Sequence, residues 1–219
     1  NLPPADQWPE LIFERPELQF PERLNAASSL LEQAVADGHG ERPAIYGLGV
    51  QWTYAELNQQ VNRLANLLVD ELGLQTGNRV LLRGANSPWL AAAWLAVWKA
   101  GGVVVGTMPL LRAKELKDII HLAQISHALC EFNLAEELTL AQADSPTLTQ
   151  IAHFGEGSDF ETRLAAQSDI FTAVDTAASD PALIGFTSGT TGIPKGTVHF
   201  HRDVMAMCEV FPRHCLKPT

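Results

Sequence analysis

Apolar positions along the chain recur with two periods. Leu57, Val61, Leu64, Leu67 and Leu68 follow a spacing of three and four residues, which predicts an amphipathic helix from about 54 to 72. Its start is marked by Thr53-Tyr54-Ala55-Glu56, where the Thr53 hydroxyl can accept from the amide three residues on and Glu56 can reach back to the Thr53 amide. Gly73 and Gly77 follow its end. A shorter helix is expected from Ala26 to about Asp37, capped by Asn25 and stopped at Gly38, with Leu30, Leu31, Ala34 and Val35 on one face. Between the two, residues 42–46 and 50–52 read as strands joined by a turn containing Gly47 and Gly49.

Further on, the apolar runs become continuous. Residues 79–84 form a strand, Ser87 and Pro88 open a helix from Trp89 to Ala100, and Val103-Val104-Val105 follows after Gly101-Gly102. Strand, helix, glycine and strand in that order make a βαβ unit, and strands without an alternating polar face belong to a parallel sheet covered on both sides. A helix from Leu110 to about Ala123 and a strand at 127–131 extend the pattern. Residues 133–178 are less regular, with a short strand at 151–154, a turn at 155–159 and a short helix at 160–166. Residues 182–186 and 197–200 are strands around a Gly- and Thr-rich segment, and helical character resumes from His201 to about Phe211. The fold class is therefore α/β. Residues 1–24 hold five prolines, Pro3, Pro4, Pro9, Pro16 and Pro21, and read as an extended arm docked through Trp8, Leu11, Ile12, Phe13 and Phe20.

Composition narrows the function. With 219 residues, 46% hydrophobic and 18% charged, the chain can build a core, and its net charge of −10 argues against nucleic acid or an anionic membrane as partner. The odd count of three cysteines, Cys130, Cys208 and Cys215, fits neither a metal spacing nor a disulfide framework and favours a reducing, cytoplasmic setting. The longest apolar stretch, Trp89 to Trp98, is ten residues, too short to span a bilayer. His121 and His127 have no partner pattern and are expected to be surface or satisfied histidines. His199, His201 and Asp203 lie close in sequence, yet no G-x-S-x-G nucleophile elbow accompanies them, so His201 reads as structural or at a pocket edge.

The segment that carries chemistry is Phe186-Thr187-Ser188-Gly189-Thr190-Thr191-Gly192-Ile193-Pro194-Lys195-Gly196. Its three glycines let several backbone N–H groups converge on one set of anionic oxygens. Thr187, Ser188, Thr190 and Thr191 add hydroxyls able to donate to phosphates or to ligate their Mg²⁺, and Lys195 adds a mobile cation. The spacing is not that of a Walker loop, because Lys195 follows Pro194 and precedes Gly196-Thr197. A plain surface turn is the bland alternative, and a phosphate-binding loop is the favoured one.

The segment Thr187 to Gly196 resembles the phosphate-binding loop of the adenylate-forming superfamily, which includes acyl- and aryl-CoA ligases, luciferases and peptide-synthetase adenylation domains. Residues 52–57 and 99–109 resemble two further core motifs of that superfamily, in the same order. Residues 18–27, 108–112 and 198–203 look like the benzoate and 2-aminobenzoate CoA ligases. The resemblance implies the N-terminal part of the superfamily's large domain, with mostly parallel sheets flanked by helices. Residues 25–219 would be an incomplete AMP-binding domain that ends shortly after the loop, with the C-terminal domain absent. It further implies ATP, Mg²⁺ and CoA as ligands and a small-molecule carboxylate as substrate. Thr187, Ser188, Gly189, Thr190, Thr191, Gly192 and Lys195 would bind nucleotide, Thr190 and Thr191 would hold the metal, and Lys195 would be catalytic. An acyl-pocket residue, a Mg²⁺-binding Glu, a ribose-binding Asp and a second catalytic Lys would lie beyond Thr219, so 219 residues by themselves are expected to be inactive. Other adenylating enzymes, such as fatty acyl-CoA ligases or peptide-synthetase domains, and a non-catalytic phosphate-binding module remain as alternatives. The oligomeric state is left open.

Overall fold

The computed structural model describes residues 4–8, 10, 12–47, 49–187 and 194–216. Asn25 caps the first helical stretch as expected. Its Oδ1 accepts from Ala27 N at 3.1 Å and Ser28 N at 3.4 Å, while its Nδ2 donates to Trp98 O at 2.8 Å and Val174 O at 3.1 Å. The helix carries π-type turns at Ser28–Glu32 and Val35–His39 and is broken at Gly38, whose φ is 84°. A small antiparallel hairpin follows, β1 (Pro43–Gly47) and β2 (Val50–Thr53). The capping box then forms in full, with Glu56 N donating to Thr53 Oγ1 at 3.2 Å and Thr53 N donating to Glu56 Oε2 at 2.8 Å. It opens α1 (Tyr54–Asn66), which continues as a π-type turn at Leu67–Glu71.

The main sheet is built from β3 (Arg79–Arg83), β4 (Val103–Thr107), β5 (His127–Glu131), β6 (Gln150–Phe154), β7 (Pro181–Thr187) and β8 (Lys195–Phe200). Its order is β6-β5-β3-β4-β7-β8, with β8 antiparallel to β7 and every other pairing parallel. Helices α2 (Pro88–Lys99), α3 (Ala113–Ala123), α4 (Ala135–Ala143) and α5 (Phe160–Ala165) connect the parallel strands, and α6 (His201–Phe211) follows β8. Successive residues of the inner strands enter two different cores. Val80, Leu82, Val104 and Leu129 pack with α1 and α2, while Leu81, Val105, Ala128 and Cys130 pack with Leu116, Ile119, Ile120 and Leu138 of α3 and α4. This is the α/β, mostly parallel architecture that the continuous apolar runs predict.

Two sequence expectations need correction. The third interior helix begins at Ala113 rather than Leu110, because residues 108–111 form a turn whose carbonyls are held by Arg83. Helix α4 occupies Ala135–Ala143, inside a stretch read as irregular. Only Leu138 and Ala141 of it are buried, so its apolar periodicity is too thin to stand out in the sequence.

The N-terminal residues lie against the last strands. Arg23 bridges to Ala177, Leu24 N donates to Thr176 O at 2.9 Å and Ala178 N donates to Glu22 O at 2.8 Å. Lys99, 1% exposed, joins three elements: it pairs with Glu32 at 2.7 Å and donates to Asn58 Oδ1 at 3.1 Å and to Asn62.

Two measurements test this packing. A Cβ added at Gly106 would lie 2.9 Å from Trp94 Cζ2, whereas one added at Gly47 would meet nothing within 4 Å. Gly106→Ala should therefore cost about 1–3 kcal/mol in denaturant unfolding, and Gly47→Ala should change stability by less than about 0.5 kcal/mol. The second concerns pH. His201 is 1% exposed, its Nδ1 accepts from Ala26 N at 3.2 Å, and burial lowers its pKa from 6.5 to about 4. Burial lowers His127 and His153 in the same direction. The unfolded chain binds protons that these folded imidazoles refuse, so stability is complete above pH 6.5 and falls as the pH drops towards 4. His201→Gln should remove roughly 2–3 kcal/mol of that loss, read as a flatter pH dependence of the melting temperature.

Candidate nucleotide-binding site

The register of β7 decides where the Gly- and Thr-rich loop emerges. β7 runs parallel to β4 through Val104↔Leu183 and Val105↔Ile184, so it ends on the same edge as the C-terminal ends of β3, β4, β5 and β6. The chain leaves that edge at Thr187 and returns to it at Lys195, and these two residues are direct partners in the antiparallel pairing. Both are exposed. A hydroxyl and an ammonium are thus held side by side at the mouth of the loop, where ligands of open α/β sheets gather. Ser188, Gly189, Thr190, Thr191 and Gly192 lie outside the described residues.

The hairpin below the loop is tightly specified. Thr197 Oγ1 donates to Gly185 O at 3.0 Å, across the pairing of these two residues. A Cβ at Gly196 would stand 3.0 Å from Ile184 Cγ2 and 3.2 Å from Phe186 Cζ, so this glycine serves packing beside the loop. Ile184, Phe186, Pro194, Gly196 and Val198 also line a cleft of about 540 Å³ that runs towards the N-terminal ends of β3 and β4 at Arg79 and Val103. Its walls near the hairpin are apolar.

Neighbouring groups on the same edge are already engaged. Arg83, at the end of β3 and 1% exposed, donates to the carbonyls of Met108 at 3.1 Å, Pro109 at 3.0 Å, Leu111 at 2.9 Å and Leu134 at 3.3 Å. It gathers the turns after β4 and β5 and leaves Met108 and Leu110 projecting from the edge, 63% and 81% exposed. Glu131, at the end of β5, accepts from Ala85 N at 2.9 Å and from Asn133 Nδ2 at 3.3 Å. The loop after β3 thus faces a carboxylate, which disfavours an anion there. The sequence reading missed both residues. An arginine ending a strand buried on both faces was the available signal for the first.

The other candidates resolve as structural. His121 Nε2 lies 3.0 Å from Asp144 O, and His127 sits between Ser126 Oγ at 2.8 Å and Leu72 O at 3.0 Å. His201 is spent on Ala26, and Asp203 Oδ2 accepts from Phe200 N at 2.9 Å as a helix cap, so His199, His201 and Asp203 form no relay. Burial pushes the Cys130 thiol up to about 12, which keeps it a thiol. Among the described residues, no group of three His, Cys, Asp or Glu is placed to hold a metal, and no helix is long and apolar enough to cross a membrane.

Comparison with known proteins agrees with this geometry. The model of the AMP-binding enzyme family matches residues 31–218. A benzoate–CoA ligase of Thauera aromatica is 30% identical over 203 residues, covering 92% of this chain; the chain spans 38% of that ligase's length. The ATP-bound structure of MatB from Rhodopseudomonas palustris superposes with a TM-score of 0.77 at 26% identity, over 87% of this chain and 37% of that one. An anthranilate CoA ligase in complex with anthranoyl-AMP shares the fold, with a TM-score of 0.78 at 23% identity over 84% of this chain and 35% of its own. With the order of elements and the family match in agreement, the chain belongs to the AMP-binding enzyme family.

Proposed function

We propose that the protein is a cytoplasmic, ATP-dependent, AMP-forming aryl-CoA ligase that activates benzoate or 2-aminobenzoate, and that residues 187–195 bind the nucleotide's phosphates. The observation that carries the reading is the pairing of Thr187 with Lys195 at the C-terminal edge of the parallel sheet. Similarity to a benzoate–CoA ligase and the shared fold of an anthranilate CoA ligase support an aromatic acid.

The chemistry follows from the weakness of a carboxylate as electrophile. One carboxylate oxygen attacks the α-phosphorus of ATP, the bond to pyrophosphate breaks, and the acyl-adenylate forms. The thiol of CoA then attacks the acyl carbon and AMP leaves. In the first step the protein must neutralise charge on the phosphates as pyrophosphate departs, a task for preorganised donors and cations. On this reading the amides and hydroxyls from Thr187 through Ser188, Gly189, Thr190, Thr191 and Gly192 wrap the β- and γ-phosphates. Thr190 or Thr191 helps hold Mg²⁺, and Lys195 draws off negative charge from the leaving group. Mg²⁺ supplies charge neutralisation when bound. A second reading, activation of a fatty acid, is supported by similarity to a fatty acyl CoA synthetase of Mycobacterium tuberculosis, 29% identical with a TM-score of 0.71 over 81% of this chain and 34% of that one.

Two experiments decide the matter. In the full-length protein, pyrophosphate release should depend on added acid, with benzoate or 2-aminobenzoate preferred over phenylacetate and a medium-chain fatty acid. Preference for the fatty acid would establish the second reading, and no release with any acid would end both. Lys195→Ala should slow adenylation about 10²–10³-fold with an unchanged melting temperature, the loss expected for one charge-stabilising donor. Wild-type kinetics in that variant would remove the residue from the mechanism.

A further inference from the structure

The base of the β7–β8 hairpin is laced at both ends by the N-terminal residues. At the start of β7, residues 22–24 pair with 176–178, and Thr176 Oγ1 donates to Leu24 O at 2.7 Å. At the end of β8, Phe200 is stacked on Trp8 with ring centroids 5.5 Å apart and an interplanar angle of 27°. The guanidinium of Arg202 lies over Phe200 at 5.4 Å and over Phe13 at 5.5 Å, and Phe13 meets Phe20 edge-on at 6.5 Å. Trp8, Phe200, Arg202, Phe13 and Phe20 therefore form one continuous stack, with three members from the arm and two from the hairpin's exit.

Arg202 is the joint of this stack. It sits in the first turn of α6, where the helix dipole disfavours a cation. Its Nε is buried with no hydrogen-bond partner, while its backbone N donates to Ala178 O at 3.0 Å. The ring faces of Phe13 and Phe200 take up this half-buried guanidinium, one from the arm and one from the end of β8, so docking of the arm adds the second ring to the first. The same residue thus binds the arm through its side chain and the β7 entry through its backbone.

We propose that residues 8–27 are a strap that fixes the base of the phosphate-loop hairpin, with Arg202 as the positioning residue through which the arm sets the loop's affinity for nucleotide. The proposal rests on the nucleotide reading above for its ligand, but not for its mechanics. A strand six residues long carries the effect from Phe200 to Lys195. Undocking the arm lets the strand pair shift or fray, and Thr187 and Lys195 lose their common frame.

The test uses the 219-residue chain and two variants, Arg202→Leu and Trp8→Ala, the second leaving the hairpin's own residues intact. Amide hydrogen exchange is read alongside Mg·ATP affinity by calorimetry. Arg202→Leu should speed exchange of the β7 and β8 amides and weaken Mg·ATP binding, each about tenfold, while exchange in β3 and β5 stays at the wild-type rate. Trp8→Ala should give the same pattern at about threefold. Unchanged exchange in the hairpin, or acceleration spread evenly over the sheet, would overturn the strap. If the wild-type chain binds no Mg·ATP, the nucleotide reading and the affinity effect both fall, and the exchange data alone decide whether the arm holds the hairpin.

Discussion

A parallel sheet whose strands are buried on both faces is the constraint on which the other features depend. Val104 and Val105 are successive residues, yet one belongs to the core beneath α1 and α2 and the other to the core beneath α3 and α4. No position of such a strand is available for a polar surface, so chemistry is displaced to the strand ends. The helices must also pack closely, which explains the steric demands on Gly102 and Gly106. A Cβ at either would come within 2.9 Å of Val97 or Trp94 of α2. The loops at the C-terminal edge are what remains free to vary, and the Gly- and Thr-rich segment leaves the sheet there at Thr187 and returns at Lys195.

Polar groups that do enter the interior are used to join distant parts of the chain. Lys99 ties the end of α2 to Glu32, Asn58 and Asn62, and Asn25 ties the first helix to the carbonyls of Trp98 and Val174. Arg83 serves four carbonyls in the turns after β4 and β5. Each buried charge or amide would be costly alone, and each becomes tolerable through several bonds made at once. The consequence is positional: these groups fix loops and helix ends relative to the sheet, which apolar contacts do less specifically.

The regular part of this fold was legible because local signals and burial agree. The Thr53 capping box, the Ser87-Pro88 start and the valine run from 103 to 105 each appear in the structure where the sequence placed them. The two strands flanking the Gly- and Thr-rich loop were equally readable from their β-branched and aromatic residues. What escaped depends on contacts between residues far apart in sequence. Helix α4 has a weak periodic face, the clamp on residues 108–111 needs Arg83 from a strand about 25 residues earlier, and the docking of the arm depends on ring and guanidinium pairings over nearly 190 residues. Sequence periodicity carries no information about such pairings.

The antiparallel pairing of β7 with β8 gives the candidate site its character. A parallel continuation would have carried the chain from Thr187 into a helix and returned it at the opposite edge, as happens after β3, β4, β5 and β6. Reversal into β8 instead brings Lys195 back opposite Thr187, so both ends of the loop belong to one strand pair of the sheet. Fixing both ends of a connecting segment in one sheet reduces the conformational freedom left to it. Among the described residues, β8 pairs with β7 alone. Residues 22–27 and the stack on Phe200 add contacts at the ends of this strand pair, to Ala177, His201 and Phe200.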